Sequence, residues 1–327
     1  MRDIGLAGLA GAGKSTLFTA LTHTGTAGGR SNQAVVPVPD PRLEVLAEIE
    51  GSARIVPAQV RFVDVPGGLS SQAIVTLRQA DALAIVLAAF HAAADPPADL
   101  GTIRAELMLA DLANVETGLE RAERKAKGRD EEALADLDRL SRARALLEGE
   151  RPLREGEWSD DDLMAMRGYG FLTLKPWIVV ANLEEGADLP PGLPEGAVAV
   201  YAAIEAEVAA MDPEEGAALL REFGVEEPGL QKLIRAAYDA LDLITFLTTG
   251  EDETRAWQVR RGALAPEAAG QIHTDLERGF IRAEVVAYED LVAAGSMKAA
   301  KDRGLVRTEG KAYEVQEGDV LNILFAV

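Results

Sequence analysis

The sequence of 327 residues contains no cysteine and only three histidines. Without cysteine there is no disulfide, no thiolate metal site and no cysteine nucleophile, and three histidines argue against a histidine-rich metal site. Aromatic residues are also scarce, at 5%, although hydrophobic residues make up 48% of the chain. Such a chain can bury a large core built from Ala, Leu, Val and Ile, which excludes intrinsic disorder.

Positive charge is scarce as well. The 33 Lys and Arg residues face 54 Asp and Glu residues, which leaves a formal net charge of −21. A field of this sign repels phosphate and disfavours nonspecific binding of nucleic acid or anionic lipid. The longest apolar run, 82–94, is interrupted by His91 and is too short to cross a bilayer, and residues 1–4 lack the layout of a signal peptide. We expect a soluble, cytoplasmic protein with no membrane partner.

The length of the chain exceeds what one ordinary core serves, so two domains are expected. Short apolar runs alternate with helical or loop segments over the first two thirds of the sequence. They comprise residues 4–7, 60–63, 82–89, 177–180 and 197–200. Continuously apolar strands alternating with helices predict an α/β fold with a mostly parallel sheet, covered on both faces.

One insertion interrupts this alternation. Apolar residues repeat at helical spacing from Leu112 to Ala126, and a second stripe starts at Ala133 after the turn 128–130. This pattern predicts an antiparallel helical hairpin. Basic residues cluster near its tip: Arg121, Arg124, Lys125, Lys127 and Arg129. They are either a solvated end that favours solubility or a docking surface, and the sequence leaves both alternatives open.

The pattern of apolar and polar residues changes again near Ile244. Short, mostly alternating runs predict strands, and one segment between them predicts a helix. The strands are expected at 257–259, 281–287, 312–315 and 320–326, and the helix at 288–293. This set of predicted strands and one helix is typical of a small, separate α+β unit.

A glycine-rich segment directly follows the first apolar run and opens a helical pattern. It reads Gly8-Leu9-Ala10-Gly11-Ala12-Gly13-Lys14-Ser15-Thr16 and fits G-x-x-x-x-G-K-[ST]. The glycines let successive backbone N–H groups point at a polyphosphate, and the helix N-terminus adds partial positive charge. Lys14 is expected to reach the β- and γ-phosphate oxygens, and the Ser15 hydroxyl to bind Mg²⁺. The pattern predicts a nucleotide-binding P-loop.

A second candidate segment ends the strand at 60–63. Asp64 stands at the strand end, and Val65-Pro66-Gly67 follow. An aspartate in this place beside a P-loop holds Mg²⁺ through water, and the amide of Gly67 can sense a γ-phosphate. The same four residues also form ordinary turns, so the position after the strand carries the assignment. We expect Lys14, Asp64 and Gly67 to be the catalytic residues.

Two later loops are candidates for reading a base. Asn182-Leu183-Glu184-Glu185 follows the strand 177–180, where nucleotide-binding sheets place such a loop. An amide followed three residues later by a carboxylate, as in Asn182 and Glu185, can bracket a purine edge; an acidic loop that caps a helix is the alternative. Tyr201-Ala202-Ala203, after the strand 197–200, can offer backbone amides to the base.

These motifs, in this order, resemble those of the YchF or Obg-like ATPase family of translation-factor-type P-loop NTPases. The resemblance covers nearly the whole chain. It includes 35–43, similar to the family's stretch after switch I; 106–112, similar to the start of its coiled-coil insertion; and 268–275 and 279–285, similar to its C-terminal TGS domain.

The resemblance implies three parts. A Ras-like P-loop nucleotide-binding domain is expected over 1–97 and 166–242, a helical hairpin (coiled coil) over 98–165, and a β-grasp TGS domain over 243–327. It also implies Mg²⁺ as cofactor, and ATP, GTP or their diphosphates as ligands. The implied macromolecular partner is the ribosome or ribosomal RNA. We expect the contact to involve basic patches of the hairpin or the TGS domain, and we expect the protein to be a monomer.

In this family N-x-x-E replaces the base-reading N-K-x-D, a change linked to accepting ATP as well as or better than GTP. Asn182 and Glu185 occupy these positions. The aspartate of N-K-x-D takes both guanine N–H groups, and adenine lacks that pair. We therefore expect ATP to bind at least comparably to GTP.

The sequence departs from the family in both switch regions. Gly28 stands where switch I normally brings a threonine to Mg²⁺, and glycine has no hydroxyl. For Thr26 or Ser31 to supply that hydroxyl, the loop would need to follow a different path. Only residues 68–72 are expected between Gly67 and the next helix, and the family's glycine-rich loop with its proposed catalytic histidine has no counterpart. A smaller departure lies in the P-loop, where residues 11–12 are Gly-Ala in place of the usual Asn-Val.

Hydrolysis is the activity that these departures affect. Gly68 stands where many GTPases place a water-orienting glutamine, whose loss costs orders of magnitude in rate. We expect a slow, Mg²⁺-dependent NTPase that acts as a regulatory switch. The alternative is a nucleotide-binding scaffold that has lost efficient hydrolysis; the altered switch I favours it, whereas Lys14, Ser15 and Asp64 together favour the switch.

Overall fold

The computed structural model describes residues 2–24, 26–27, 32–65, 67–127 and 131–326. Its strands are β1 (Arg2–Ala7), β2 (Thr26–Ala27), β3 (Gln33–Pro37), β4 (Ile55–Val56), β5 (Gln59–Asp64), β6 (Ala82–Ala89), β7 (Trp177–Leu183), β8 (Val198–Val200), β9 (Leu243–Thr248), β10 (Thr254–Arg260), β11 (Phe280–Ala287), β12 (Arg307–Glu309) and β13 (Asp319–Phe325). Its helices are α1 (Lys14–Thr24), α2 (Arg42–Glu50), α3 (Ser71–Leu77), α4 (Pro96–Ala126), α5 (Glu131–Glu148), α6 (Asp160–Met166), α7 (Ala202–Val208), α8 (Pro213–Glu222), α9 (Gly229–Ala240), α10 (Ala265–Ile272), α11 (Thr274–Arg278), α12 (Tyr288–Ala294) and α13 (Met297–Asp302).

A seven-stranded sheet has the order β2-β3-β5-β1-β6-β7-β8. Strands β1, β6, β7 and β8 are mutually parallel, with Leu6 opposite Ala84 and Ala181 opposite Ala199. Seven of the eight residues of β6 are buried, as expected for a strand covered on both faces. The predicted α/β fold with a mostly parallel sheet is therefore confirmed. The edge strand β2 and its neighbour β3, which pair antiparallel, were not expected.

Helices α4 and α5 pack against each other as a hairpin. Gly118 lies against Leu140, and the guanidinium of Arg104 donates to the carbonyl of Glu150 at 3.2 Å, so the two helices run antiparallel. Their shared apolar core includes Val115 and Ala143. Helix α4 starts at Pro96 because the Asp95 side chain caps it. The predicted turn at 128–130 lies outside the described residues, as does the side chain of Arg129.

The chain divides into two compact units, residues 2–36 with 61–237 and residues 37–60 with 238–326. The sequence predicts that the segment 37–60 belongs to the nucleotide-binding domain, whereas in the structure it packs with the C-terminal residues. Strand β4 pairs in parallel with β10, and the Ser52 hydroxyl donates to the carbonyl of Gly250 at 2.7 Å. These contacts join residues that are about 200 positions apart, which no local pattern reveals.

The second sheet has the order β12-β11-β13-β9-β10-β4. The predicted strands near 257, 281 and 320 and the predicted helix at 288 are present as β10, β11, β13 and α12. The expected strand at 312–315 is wrong: Glu314 makes only an isolated bridge to Leu264. Val315 is buried in the core and Tyr313 donates to the Asp319 carboxylate at 2.7 Å, so loop packing produced the alternating pattern. No helix within the described ranges is long and apolar enough to span a membrane.

Candidate nucleotide-binding site

The loop between β1 and α1 winds tightly around its glycines. Gly11 and Gly13 have φ angles of 82° and 84°, a region that glycine adopts without strain. Gly8 passes so close to β6 that an added Cβ would lie 2.4 Å from the carbonyl oxygen of Val86. The first turn of α1 follows, with Leu17 donating to the carbonyl of Gly13 at 2.9 Å. A loop of this kind that ends in a helix N-terminus presents backbone N–H groups to an anion.

Lys14 folds back across this loop. Its ammonium donates to the carbonyls of Gly8 at 2.9 Å and Leu9 at 2.8 Å, and the residue is only 7% exposed. Burial lowers the pKa of Lys14, and the nearby charge of Asp64 opposes that shift. An ammonium has three donors, so one remains beyond the two that the loop uses. The following residues, Ser15 and Thr16, are exposed.

Asp64, the last residue of β5, carries the unpaired polar atom of the site. Its Oδ1 is buried and has no hydrogen-bond partner among the described residues. Burial raises the pKa of Asp64, whereas Lys14 and the N–H of Val65 act in the opposite direction. An unsatisfied buried carboxylate oxygen costs folding free energy, and such an atom indicates a ligand site.

The turn after β5 approaches the P-loop. Gly67 and Gly68 have φ angles of 85° and 71°, and a Cβ on Gly68 would lie 3.6 Å from the backbone nitrogen of Ala10. Helix α3 begins at Ser71, slightly earlier than expected, because the Ser70 hydroxyl accepts from the N–H of Ala73 at 3.3 Å. Pro66 and the switch I candidates Gly28 and Ser31 lie outside the described residues, as does the side chain of Thr26.

Asn182, at the carboxyl side of β7, connects the P-loop with the start of α7. It is 5% exposed; its Nδ2 donates to the carbonyl of Ala12 at 3.3 Å, and its Oδ1 accepts from the N–H of Ala202 at 3.2 Å. The neighbouring Leu183 is buried and Glu185 is exposed. Asn182 therefore joins two loops of the site. Glu185, in contrast, lies on the solvent-exposed side of the loop after β7.

The turn at 201–203 holds two of its three amides within the protein. The N–H of Tyr201 donates to the Glu205 carboxylate at 2.9 Å, and that of Ala202 to Asn182. Ala203 comes next, in the first turn of α7, where amides have no acceptor within the helix. The Tyr201 hydroxyl donates to the carbonyl of Ala187 at 3.0 Å, which fastens the loop after β7.

Two residues near this site were missed on sequence. Phe90 follows β6 with its ring 3.6 Å from where a Cβ of Gly13 would lie, and it is partly exposed. Glu205 is fully buried and binds the turn just described. An aromatic residue at a strand end and an acidic residue in a short helix are common patterns, so neither gives a distinctive signal. A carboxylate one turn after a helix start does suggest a cap.

These features define a P-loop NTPase domain of the α/β class. Comparisons with known proteins cover the rest of the chain as well. The family model YchF-GTPase_C, "Protein of unknown function (DUF933)", matches residues 243–326. The "Ribosome-binding ATPase YchF" of Haemophilus influenzae is 42% identical, and that of Bacillus subtilis is 39% identical, each over 99% of both chains.

A solved structure agrees with these relatives. The Schizosaccharomyces pombe YchF GTPase superimposes with a TM-score of 0.89 and 28% identity, over 99% of this chain and 97% of that one. The chain belongs to the YchF family, so the resemblance seen in its sequence is confirmed. The alignment with the H. influenzae protein spans 358 positions, more than the 327 residues of this chain, so that relative carries segments which this chain lacks.

Proposed function

We propose that this protein binds ATP, GTP or their diphosphates at the loop 8–16 and hydrolyses the triphosphate slowly. The observation that carries the proposal is the pair of charges beside the loop: Lys14 is buried, and the half-buried Asp64 has one buried carboxylate oxygen without a partner among the described residues. A cation and a carboxylate are costly to bury without a partner, and a phosphate with its metal ion supplies one for each. The names of the relatives, ATPase and GTPase, support the same activity.

Mg²⁺ fits the residues present. Within the described part of the chain no group of three or more His, Asp or Glu side chains could hold a metal. Mg²⁺ at nucleotide sites is bound by one or two protein oxygens together with phosphate oxygens and water. The unpaired Oδ1 of Asp64 and the exposed Ser15 hydroxyl are of that type. When bound, Mg²⁺ would neutralise charge on the β- and γ-phosphates.

The turn that lies beside the P-loop supports slow hydrolysis. The turn nearest to Ala10 consists of Gly67 and Gly68, which have no side chain to orient water. Without such a residue, GTPases of this class lose orders of magnitude in rate. The same observation favours the second candidate, a nucleotide-binding scaffold that has lost efficient hydrolysis.

Single-turnover phosphate release in Mg²⁺ buffer separates the two candidates. We expect the wild type to release phosphate more slowly than about 1 s⁻¹ without a partner and Lys14→Ala to lose nucleotide binding. Lys311→Ala, at an exposed position of the other unit, is the matched control and should behave as wild type. Equal rates for wild type and Lys14→Ala would favour the scaffold. Unchanged nucleotide affinity in Lys14→Ala would contradict the assignment of the loop itself.

Base selectivity is tested by titration. We propose that ATP binds at least as well as GTP, because the N-x-x-E residues Asn182 and Glu185 lack the aspartate that takes both guanine N–H groups. Parallel calorimetric titrations with ATP, GTP and their diphosphates, with and without Mg²⁺, measure this. GTP binding about a hundredfold tighter, a difference of ~2.7 kcal/mol, would contradict the proposal.

We also propose that the ribosome or its RNA is the macromolecular partner, as the names of the bacterial relatives state for those proteins. Arg121, Arg124 and Lys125 of α4 line a concave surface together with Tyr169. Local cations of this kind can hold phosphate although the whole chain repels it. Basic patches of the C-terminal unit, proposed here to be a TGS domain, are the other candidate contact.

Co-sedimentation with ribosomes tests the hairpin contact. Arg124→Glu combined with Lys125→Glu should abolish binding, and Arg144→Glu, an exposed arginine on α5, should leave it intact. Unchanged co-sedimentation of the double variant would exclude the hairpin and leave the C-terminal unit as the contact.

The division into three parts and the cellular setting are further proposals. A nucleotide-binding domain at 1–97 and 166–242, an insertion at 98–165 and a TGS domain at 243–327 agree with the helical hairpin and with the family match at 243–326, apart from the placement of 37–60 described above. A cytoplasmic monomer is consistent with a ribosomal partner. Sedimentation of the purified protein measures its oligomeric state.

A further inference from the structure

Glu205 is a buried carboxylate that connects two helices behind the base end of the candidate site. It is 1% exposed and lies one turn after Tyr201 in α7. Its Oε1 accepts from the N–H of Tyr201 at 2.9 Å and of Gly229 at 3.0 Å, and its Oε2 accepts from the N–H of Leu230 at 2.8 Å. The start of α7 is thereby fastened to the start of α9.

The amide next to Tyr201 is fixed from another side. The N–H of Ala202 donates to Asn182, whose other amide atom donates to the carbonyl of Ala12 in the P-loop. Two consecutive amides of one turn are thus held by Glu205 and Asn182, which come from different elements. Ala203 follows in the first turn of α7, so the direction of its amide is set by the helical φ and ψ angles of Ala202.

Helix α9 approaches β8 without intervening side chains at this point. A Cβ on Gly229 would lie 2.5 Å from the carbonyl oxygen of Ala199 and 2.7 Å from the Glu205 carboxylate. Any side chain here would separate α9 from both. The close contact keeps the carboxylate away from water, and burial raises the pKa of Glu205 while three N–H groups and Lys232 oppose the shift.

Fastening a helix start with a buried carboxylate carries a large desolvation free energy. Exposed Ser, Thr, Asp and Asn caps stabilise helix N-termini without full desolvation, whereas a buried charge must be compensated by strong hydrogen bonds. Glu205 differs from an ordinary cap because it accepts not only from the N–H of Tyr201, the N-cap residue of its own helix, but also from the N–H groups of Gly229 and Leu230 at the start of α9.

We propose that Glu205 is a positioning residue for the base end of the nucleotide, which holds the turn 201–202 so that the amide of Ala203 faces the base. The inference rests on the proposed binding of nucleotide at the P-loop. Glu205 acts through Tyr201 and not by touching the ligand. Its loss therefore weakens contacts to the nucleoside and leaves contacts to the phosphates unchanged.

Two ligands separate these contacts: ATP, which uses both ends of the site, and inorganic tripolyphosphate, which uses only the P-loop. In Glu205→Gln one carboxylate oxygen becomes an NH₂ group that faces a backbone N–H. We expect the Kd of ATP to rise about tenfold, while the Kd of tripolyphosphate in the same Mg²⁺ buffer stays within about twofold. Glu207→Gln, two residues further along α7 and exposed, is the matched control and should change neither.

A purely structural role gives a different result. If Glu205→Gln leaves ATP affinity unchanged, or weakens ATP and tripolyphosphate equally, the inference is wrong. Circular dichroism shows whether the variant is folded at the assay temperature; if it is not, Glu205→Asp, which keeps the charge on a shorter side chain, is judged by the same ratio of Kd values. A wild type that binds tripolyphosphate but not ATP, or neither ligand, would instead overturn the proposed function.

Discussion

The guanidinium of Arg78 lies 3.1 Å from the carboxylate of Asp111, which is completely buried. Arg78 directly follows α3, the helix after the short turn beside the P-loop, and Asp111 lies in the middle of α4. Asp111 also accepts from the backbone N–H groups of Leu172 and Thr173, just before β7. The bonds of Asp111 therefore join the end of α3, the helical hairpin and the segment that leads into β7, the strand that carries Asn182.

Removing the arginine should destabilise the protein strongly. Arg78→Met leaves the Asp111 carboxylate buried without its cation, and burial already raises the pKa of that group. Loss of one partner of a buried ion pair costs about 3 kcal/mol of unfolding free energy. Urea unfolding at pH 7 measures the change.

The control for this variant is Arg104→Met. Arg104 lies on α4, the helix that carries Asp111, and pairs with Glu155 at 3.5 Å, but both side chains are about 40% exposed. Exposed pairs contribute less than about 1 kcal/mol, so a small change is expected. A loss in Arg78→Met no larger than that in Arg104→Met would contradict the importance of the Arg78–Asp111 pair.

Two glycines of the P-loop should respond differently to alanine. Gly11 and Gly13 both have positive φ, so each variant pays a backbone strain of about 1 kcal/mol. At Gly11 the added Cβ meets nothing within 4 Å, whereas at Gly13 it would lie 2.1 Å from the amide nitrogen of Asn182. Gly13→Ala should raise the Kd of ATP at least tenfold more than Gly11→Ala does (~1.4 kcal/mol). Equal effects in calorimetric titration would contradict the contact with Asn182.

Asp64→Asn should separate stability from function. Burial raises the pKa of Asp64 above its ordinary value of 3.8, so the folded protein binds this proton more readily than the unfolded chain. The stability of the wild type therefore falls as pH rises through the range between the two pKa values, and the neutral variant lacks this fall. At pH 7 we expect Asp64→Asn to unfold with equal or higher free energy, yet to bind ATP with Mg²⁺ at least about tenfold more weakly. A less stable variant with normal Mg²⁺-dependent binding would reverse both statements.

Asp162 supplies an acid-sensitive contact between α5 and α6. It accepts from Arg139 and Arg142, both at 2.9 Å, and these guanidiniums lower its pKa from 3.8 to about 2. A carboxylate with a lowered pKa stabilises the fold above its unfolded pKa, and that stability is lost as pH falls toward the folded value. Asp162→Asn should therefore cost about 1 kcal/mol at pH 7, and the difference from wild type should vanish between pH 4 and pH 2.

Thermal unfolding at a series of pH values checks the acid-sensitive contact. Asp138→Asn serves as the control, because Asp138 pairs with the same Arg142 at 3.0 Å but is 73% exposed. Its effect should be small at every pH. A pH-independent loss in Asp162→Asn would show that the side chain acts by packing and not by charge.

Local patterns account for most of what the sequence predicted. The glycine spacing around Lys14 indicated the loop. Unbroken apolar runs indicated β1, β6, β7 and β8, because a strand covered on both faces needs apolar residues at every position, and β5 was indicated by a run that Arg61 interrupts. The hairpin was found from its helical spacing. Each of these features depends on residues that are neighbours in sequence.

Contacts between distant residues account for what was missed. Asn182 was expected to read a base, and its bonds to Ala12 and Ala202 depend on how β7 and β8 bring two loops together. Glu205 has no distinctive sequence neighbours because its partners at Gly229 and Leu230 lie 24 and 25 residues away. The burial of Asp64, and hence its unpaired oxygen, likewise arises only in the folded chain.

The segment 37–60 carries a consequence for dissecting this protein. Helix α2 buries Leu43, Leu46 and Ala47, and β4 forms one edge of the C-terminal sheet. A fragment cut at residue 243 would leave β10 with a bare edge and an uncovered apolar surface, and would be prone to aggregate. A stable excised unit, or a chimaera exchanged between relatives, would have to carry these two dozen N-terminal residues along with it.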